Sequence, residues 1–158
     1  MSAVEGFPDI GYVARAAAEV TAPLVTRIPG WVAPPLKSND RLHHMAEHRV
    51  KASLRADAGW VGRSRQVRAK ARADGWTFPI DYPVEALIVW EVTDRHRRDA
   101  GASTPTLKVW LDGLRDAGIL ADDHHGIVVE ERARVEVGDR RGVRIELHRV
   151  EPDDAAAR

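Results

Sequence analysis

The residues best suited to chemistry lie between Asp99 and Asp123. Asp99 supplies one carboxylate, Asp122 and Asp123 supply an adjacent pair, and Lys108 stands between them in the chain. A lone aspartate is usually a turn or cap residue. Several aspartates converging from different elements, with a lysine among them, point instead to a polyanionic substrate. Hard cations such as Mg²⁺ bind carboxylate oxygens together with water and substrate phosphate. Such ions activate a water and stabilise the departing oxygen in phosphodiester hydrolysis. A lysine can neutralise the charge that grows on the phosphate in the transition state.

Stepping this chemistry into place requires a strand, a helix and a return. Val84 to Thr93 is rich in β-branched and aromatic residues, with Leu87-Ile88-Val89-Trp90 unbroken, which predicts a strand buried on both faces that delivers the chain toward Asp99. Thr104 suits a helix N-cap and Pro105 the first helical position. Leu107, Trp110, Leu111 and Leu114 then form one apolar stripe of a 3.6-residue repeat, and Gly118 suits a left-handed stop. Lys108 falls beside that stripe, near the helix N-terminus. Asp122 and Asp123 can meet Asp99 only if the chain turns back beside the preceding strand.

The remaining chain reads as support. A short helix is expected within residues 1–23, where Ile10, Val13, Ala17 and Val20 recur at roughly helical spacing, followed by a strand over Leu24 to Ile28. Residues 29–35 are too rich in proline to be regular. A helix is expected from Ser38 or Asn39 to about Ala73, broken at Gly59 or Gly62, with Arg65, Arg68 and Arg72 sharing a face of its second half. Ile127 to Val137 and Val143 to Val150 both alternate apolar and polar residues, which predicts an antiparallel hairpin. Glu151 to Arg158 reads as a polar, disordered tail.

The chain of 158 residues has a formal net charge of zero, yet ten basic and four acidic residues lie between Lys37 and Asp74. That excess suits a phosphate-binding surface. There is no cysteine, which excludes disulfides and thiolate zinc sites and fits a reducing compartment. No apolar run reaches membrane-spanning length, and the expectation is a cytoplasmic protein with no membrane partner. His44-Met45-Ala46-Glu47-His48 matches an inverted zinc-protease pattern, but the arginines and lysines around it repel a dication, so a surface histidine cluster is expected there.

Arg97-Arg98-Asp99, then Pro105-Thr106-Leu107-Lys108, Asp112-Gly113-Leu114, Asp116-Ala117-Gly118 and Asp122-Asp123 follow in an order that resembles the RusA family of Holliday junction resolvases, particularly versions carried by actinobacterial phages. Pro34-Pro35-Leu36-Lys37-Ser38-Asn39-Asp40-Arg41 resembles that family's N-terminal signature, and the likeness extends over residues 24–150. It implies a compact α+β fold, with a small mixed β-sheet packed against helices, and a homodimer. The implied activity is Mg²⁺-dependent nicking of four-way DNA junctions, with Mn²⁺ as a substitute. The implied metal ligands are Asp99, Asp122 and Asp123, with Lys108 catalytic. Branched double-stranded DNA is the implied partner, and Lys37, Asn39, Arg41, Arg65, Arg68 and Arg72 are its expected contacts. Family members commonly read Asp-x-Asp-Asn where this chain has Asp99-Ala100-Gly101-Ala102. The alternative reading is therefore a junction-binding protein whose cutting has weakened.

Overall fold

The computed structural model describes residues 19–151, so all but Val20 of the helical pattern expected near the start, and the tail beyond Glu151, lie outside the described residues. The described residues form a four-stranded mixed sheet and three α-helices. In chain order these are β1 (Leu24–Arg27), α1 (His44–Arg63), α2 (Arg65–Ala73), β2 (Val84–Val92), α3 (Thr104–Asp116), β3 (Val128–Val137) and β4 (Gly142–Arg149). A 3₁₀ turn, Ala100–Ser103, leads into α3.

The sheet order is β1-β4-β2-β3, with β2 parallel to β3 and antiparallel to β4. The expected β3–β4 hairpin is therefore corrected, because β2 lies between its two strands. Residues 138–141 step over the end of β2, where the Gly138 N–H donates to the Val92 carbonyl at 2.8 Å and Gly142 pairs with Glu91. Crossing one strand covers roughly 10 Å, which four residues span as readily as they close a hairpin. The apolar run of β2 drives this outcome, since a strand buried on both faces belongs at the centre of a sheet.

One face of the sheet carries the core. Leu24, Ala86, Ile88, Ile145 and Leu147 are buried there against Leu107, Trp110, Leu111 and Leu114 of α3 and Leu54, Ala58 and Val61 of α1. Trp110 is wholly buried and donates its indole N–H to Thr26 Oγ1 at 2.8 Å, tying α3 to β1. The Thr106 hydroxyl donates to the Leu36 carbonyl at 2.7 Å and accepts from the Leu36 N–H at 3.0 Å, so the proline-rich loop is pinned to the start of α3.

The helix ends differ from expectation in instructive ways. α1 begins at His44, where the His43 imidazole accepts the Met45 N–H, and the break falls at Ser64, whose hydroxyl accepts the Val67 N–H and opens α2. Gly59 and Gly62 lie inside α1, and Gly62 leaves room for the end of α3 and the residues that follow it. A methyl group on Gly62 would come within 2.8 Å of the Ala117 Cβ, and one on Gly113 within 2.5 Å of the Ala58 Cβ. Ser103 precedes α3 as its cap residue, while the Thr104 hydroxyl donates back to the Gly101 carbonyl. Gly118 ends the segment with φ of +74°, as its left-handed role requires.

Candidate active site

Lys108, Asp112 and Arg115 occupy positions i, i+4 and i+7 of α3 and so line one side of it. After α3, the Gly118 turn sends the chain back along the helix. The Ile80 N–H donates to the Ile119 carbonyl at 2.7 Å and the Ala121 N–H to the Ile80 carbonyl at 2.9 Å, which clamps the returning segment. Asp123 then meets Arg115, whose guanidinium donates to Asp123 Oδ1 at 2.8 Å and lies 3.5 Å from Asp112 Oδ1. The chain thus turns back against α3, and Asp99 is not among the residues that line the resulting groove.

Beyond this return β3 contributes one more carboxylate. The register shifts by one residue between Val84↔Val128 and Glu85↔Glu130, which aligns Glu131 with inward-facing Ala86. Lys108, Leu111, Asp112, Asp123 and Glu131 together line an open groove of about 320 Å³.

Asp112 and Asp123 are electrostatically one unit. Burial first, and then a hydrogen bond to Asp123, push the Asp112 carboxyl above the usual aspartate range. Burial also works to raise Asp123, but hydrogen bonds from Asp112, Asp122 and Arg115 outweigh it and hold Asp123 below that range. The two carboxyls are thus pushed in opposite directions, Asp112 holding its proton more tightly than Asp123. Among the described residues Lys108 forms no ion pair, and its side chain reaches the same groove.

The structure gathers the expected site residues only in part. Lys108 and Asp123 share the groove, whereas Asp122 lies beside it and accepts the Asp123 N–H at 2.8 Å. Asp99 is exposed, and its Oδ1 accepts the Gly101 N–H at 3.0 Å, capping the 3₁₀ turn. Among the described residues no three carboxylate or imidazole side chains stand close enough together to hold a metal ion unaided. Asp112 and Glu131 were not anticipated. The Lys108-x-x-x-Asp112 spacing and the position of Glu131 on the alternation of Ala133 and Val135 were the signals that pointed to them.

The expected DNA contacts are scattered. Asn39, Arg41, Arg65 and Arg72 are exposed, and Lys37 is half-buried with its ammonium 3.7 Å from Asp40 and over the Trp90 ring. Arg68 is committed to the fold, because its guanidinium donates to the Gly62 and Ala117 carbonyls and packs on Phe78. In the His44–His48 segment Glu47 is paired with Lys51 at 2.6 Å, in keeping with a surface cluster.

No family model matches the chain, and no curated protein matches it. Among the described residues no helix is long and apolar enough to cross a membrane.

Proposed function

We propose that this chain is a Mg²⁺-dependent endodeoxyribonuclease that acts on four-way junctions as a homodimer and hydrolyses one phosphodiester per active groove. The observation that carries the reading is a single arrangement: a lysine ammonium outside any ion pair, on a groove that Asp112, Asp123 and Glu131 also line. The donor set fits a hard cation, since the carboxylates of Asp112 and Asp123 offer oxygen ligands alone. Asp112 and Asp123, completed by water and substrate phosphate, are the residues that would hold it, and Glu131 lines the same groove. When bound, such an ion makes water a stronger nucleophile and stabilises the leaving oxygen.

The chain's own groups do the rest. Lys108 donates to a non-bridging phosphate oxygen, where negative charge accumulates as the bond to the leaving oxygen breaks. Arg115 fixes Asp123 and limits the repulsion between the carboxylates and an approaching phosphate.

The alternative, a junction-binding protein of weakened activity, draws support from Asp99, which is spent on capping a turn and stands outside the groove. Incubating the protein with a synthetic four-way junction, with and without Mg²⁺, separates the two. Paired nicks that require the metal support the enzyme. A stable junction complex without nicks supports the alternative, and neither binding nor cutting refutes both.

A further inference from the structure

We propose that the groove beside β1, between the loop carrying Trp31 and the 138–141 link, holds single-stranded nucleic acid, with an unpaired base stacked on Trp31 and backbone phosphates on Arg140 and Arg141. The proposal rests on the DNA-binding half of the reading above and adds a second contact, away from the acidic groove. The cavity measures about 340 Å³, and its walls include Arg27, Trp31, Val32, Arg140 and Arg141.

Composition of the walls argues for this ligand. Trp76 and Trp110 are buried in the core, whereas Trp31 is 42% exposed beside Val32 at 61%. A tryptophan left in water on a loop with buried Pro34 and Pro35 presents a fixed flat face. Arg27 is already spent on Glu91 at 2.6 Å and acts as a wall. Arg140 keeps only a long contact, 3.8 Å to Glu91, and Arg141 lies 3.6 Å from Asp94 with only its Nε committed, to Thr93; their side chains are 59% and 57% exposed. Their guanidiniums therefore retain donors for phosphate oxygens. Arg95 and Arg97, also exposed, follow Thr93, which accepts a hydrogen bond from Arg141 at 3.1 Å, and they extend the positive surface.

Aromatic faces and arginines along one groove are the means by which proteins hold single strands, because every base offers a π-face. In intact duplex the bases are stacked on one another and unavailable to Trp31. A branch point interrupts that continuous stack and leaves base faces open to an aromatic side chain.

The test uses the full chain and two fluorescent probes without metal, an eight-nucleotide oligothymidylate and a four-way junction. Trp31→Ala is expected to weaken oligothymidylate binding by about tenfold or more, and Trp31→Phe to restore most of it. Arg140→Gln with Arg141→Gln should reduce the salt dependence by about 1.4 in log–log slope, two phosphates on a single strand. Trp60→Ala, at an exposed tryptophan on α1, should change nothing. Equal oligothymidylate binding by wild type and Trp31→Ala overturns the proposal. So does displacement by base-free polyglutamate as effective as by unlabelled oligothymidylate, which would identify an acidic-protein site. A wild type that binds the junction and ignores the oligothymidylate overturns this groove alone, whereas one that binds neither overturns the DNA reading with it.

Discussion

On the proposed reading Asp123 and Lys108 divide the labour of the groove, and the division can be measured. Asp123→Asn removes a ligand and a negative charge that faces phosphate, so junction cutting should vanish while binding holds or tightens. Lys108→Ala should slow cutting by roughly 10²-fold or more if the ammonium stabilises the transition state. Single-turnover cleavage and gel mobility on the same junction read both effects. Gly101 offers a complementary test. Its φ is not positive, and a Cβ there meets only Asp99 Oδ1, at the ordinary contact distance of 3.4 Å, so Gly101→Asp is sterically admissible. If the site lacks an oxygen ligand at Asp99, this substitution should strengthen Mn²⁺ binding in calorimetry. If Asp112 and Asp123 suffice, the isotherm should be unchanged.

At the scale of elements, the helices are held by unusually close packing and by one arginine. Gly113→Ala forces a methyl into the α1–α3 contact and should cost about 1–3 kcal/mol, seen as a lower denaturation midpoint. Arg68→Ala removes donors from two helix-terminal carbonyls and should cost on the order of 1–3 kcal/mol. Because Arg68 serves the fold, its loss should leave the salt dependence of DNA binding intact. Arg65→Glu, at an exposed position on the same helix, should flatten that dependence if α2 touches the backbone.

These elements show where sequence was informative and where it was not. The bounds of β1 and β2, the apolar stripe of α3 and the stop at Gly118 follow local rules, and local rules are written in consecutive residues. Strand partners are not. β3 and β4 have the alternation of a hairpin, and only the demand of β2 for two neighbours separates them. Gly59 and Gly62 look like breaks until the facing residues of α3 are known. Asp112 was hidden by its own helix, where a charged residue between apolar positions reads as a solvated face. Arg68 looked like its neighbours Arg65 and Arg72 because nothing local announces carbonyls from two other helix ends.

Across the whole molecule, the sheet face opposite the helices is bound by ion pairs. Glu91 joins Arg27 and Arg144, and Arg144 also joins Glu136 and Glu146. The hydrogen bond from Arg27 lowers Glu91, that from Arg144 lowers Glu136, and in Glu146 bonds from Arg144 and His148 outweigh the burial that would raise it. Carboxyls lowered by folding bind fewer protons in the folded state, so their stabilisation is complete above the ordinary glutamate value of 4.5 and is lost as pH falls through the folded values. Asp112 runs the other way: its contribution is lost as pH rises above the ordinary aspartate value of 3.8. Asp94, Asp116 and Asp123 are lowered as well, so six groups stand against one and the melting temperature should fall as pH drops below about 4.5. Glu136→Gln should make that fall shallower in a calorimetric series.

The ion-paired face ends at β3, whose outer side has no strand neighbour among the described residues. Along it the outward charges run Glu130, Arg132, Arg134, Glu136, a palindrome in sign. A two-fold pairing of this edge with its own copy, centred on Ala133, would set Glu130 against Glu136 and Arg132 against Arg134. Like charges directly opposite one another oppose such a ladder. The order of four charges therefore guards a ten-residue edge against in-register self-association by sheet extension.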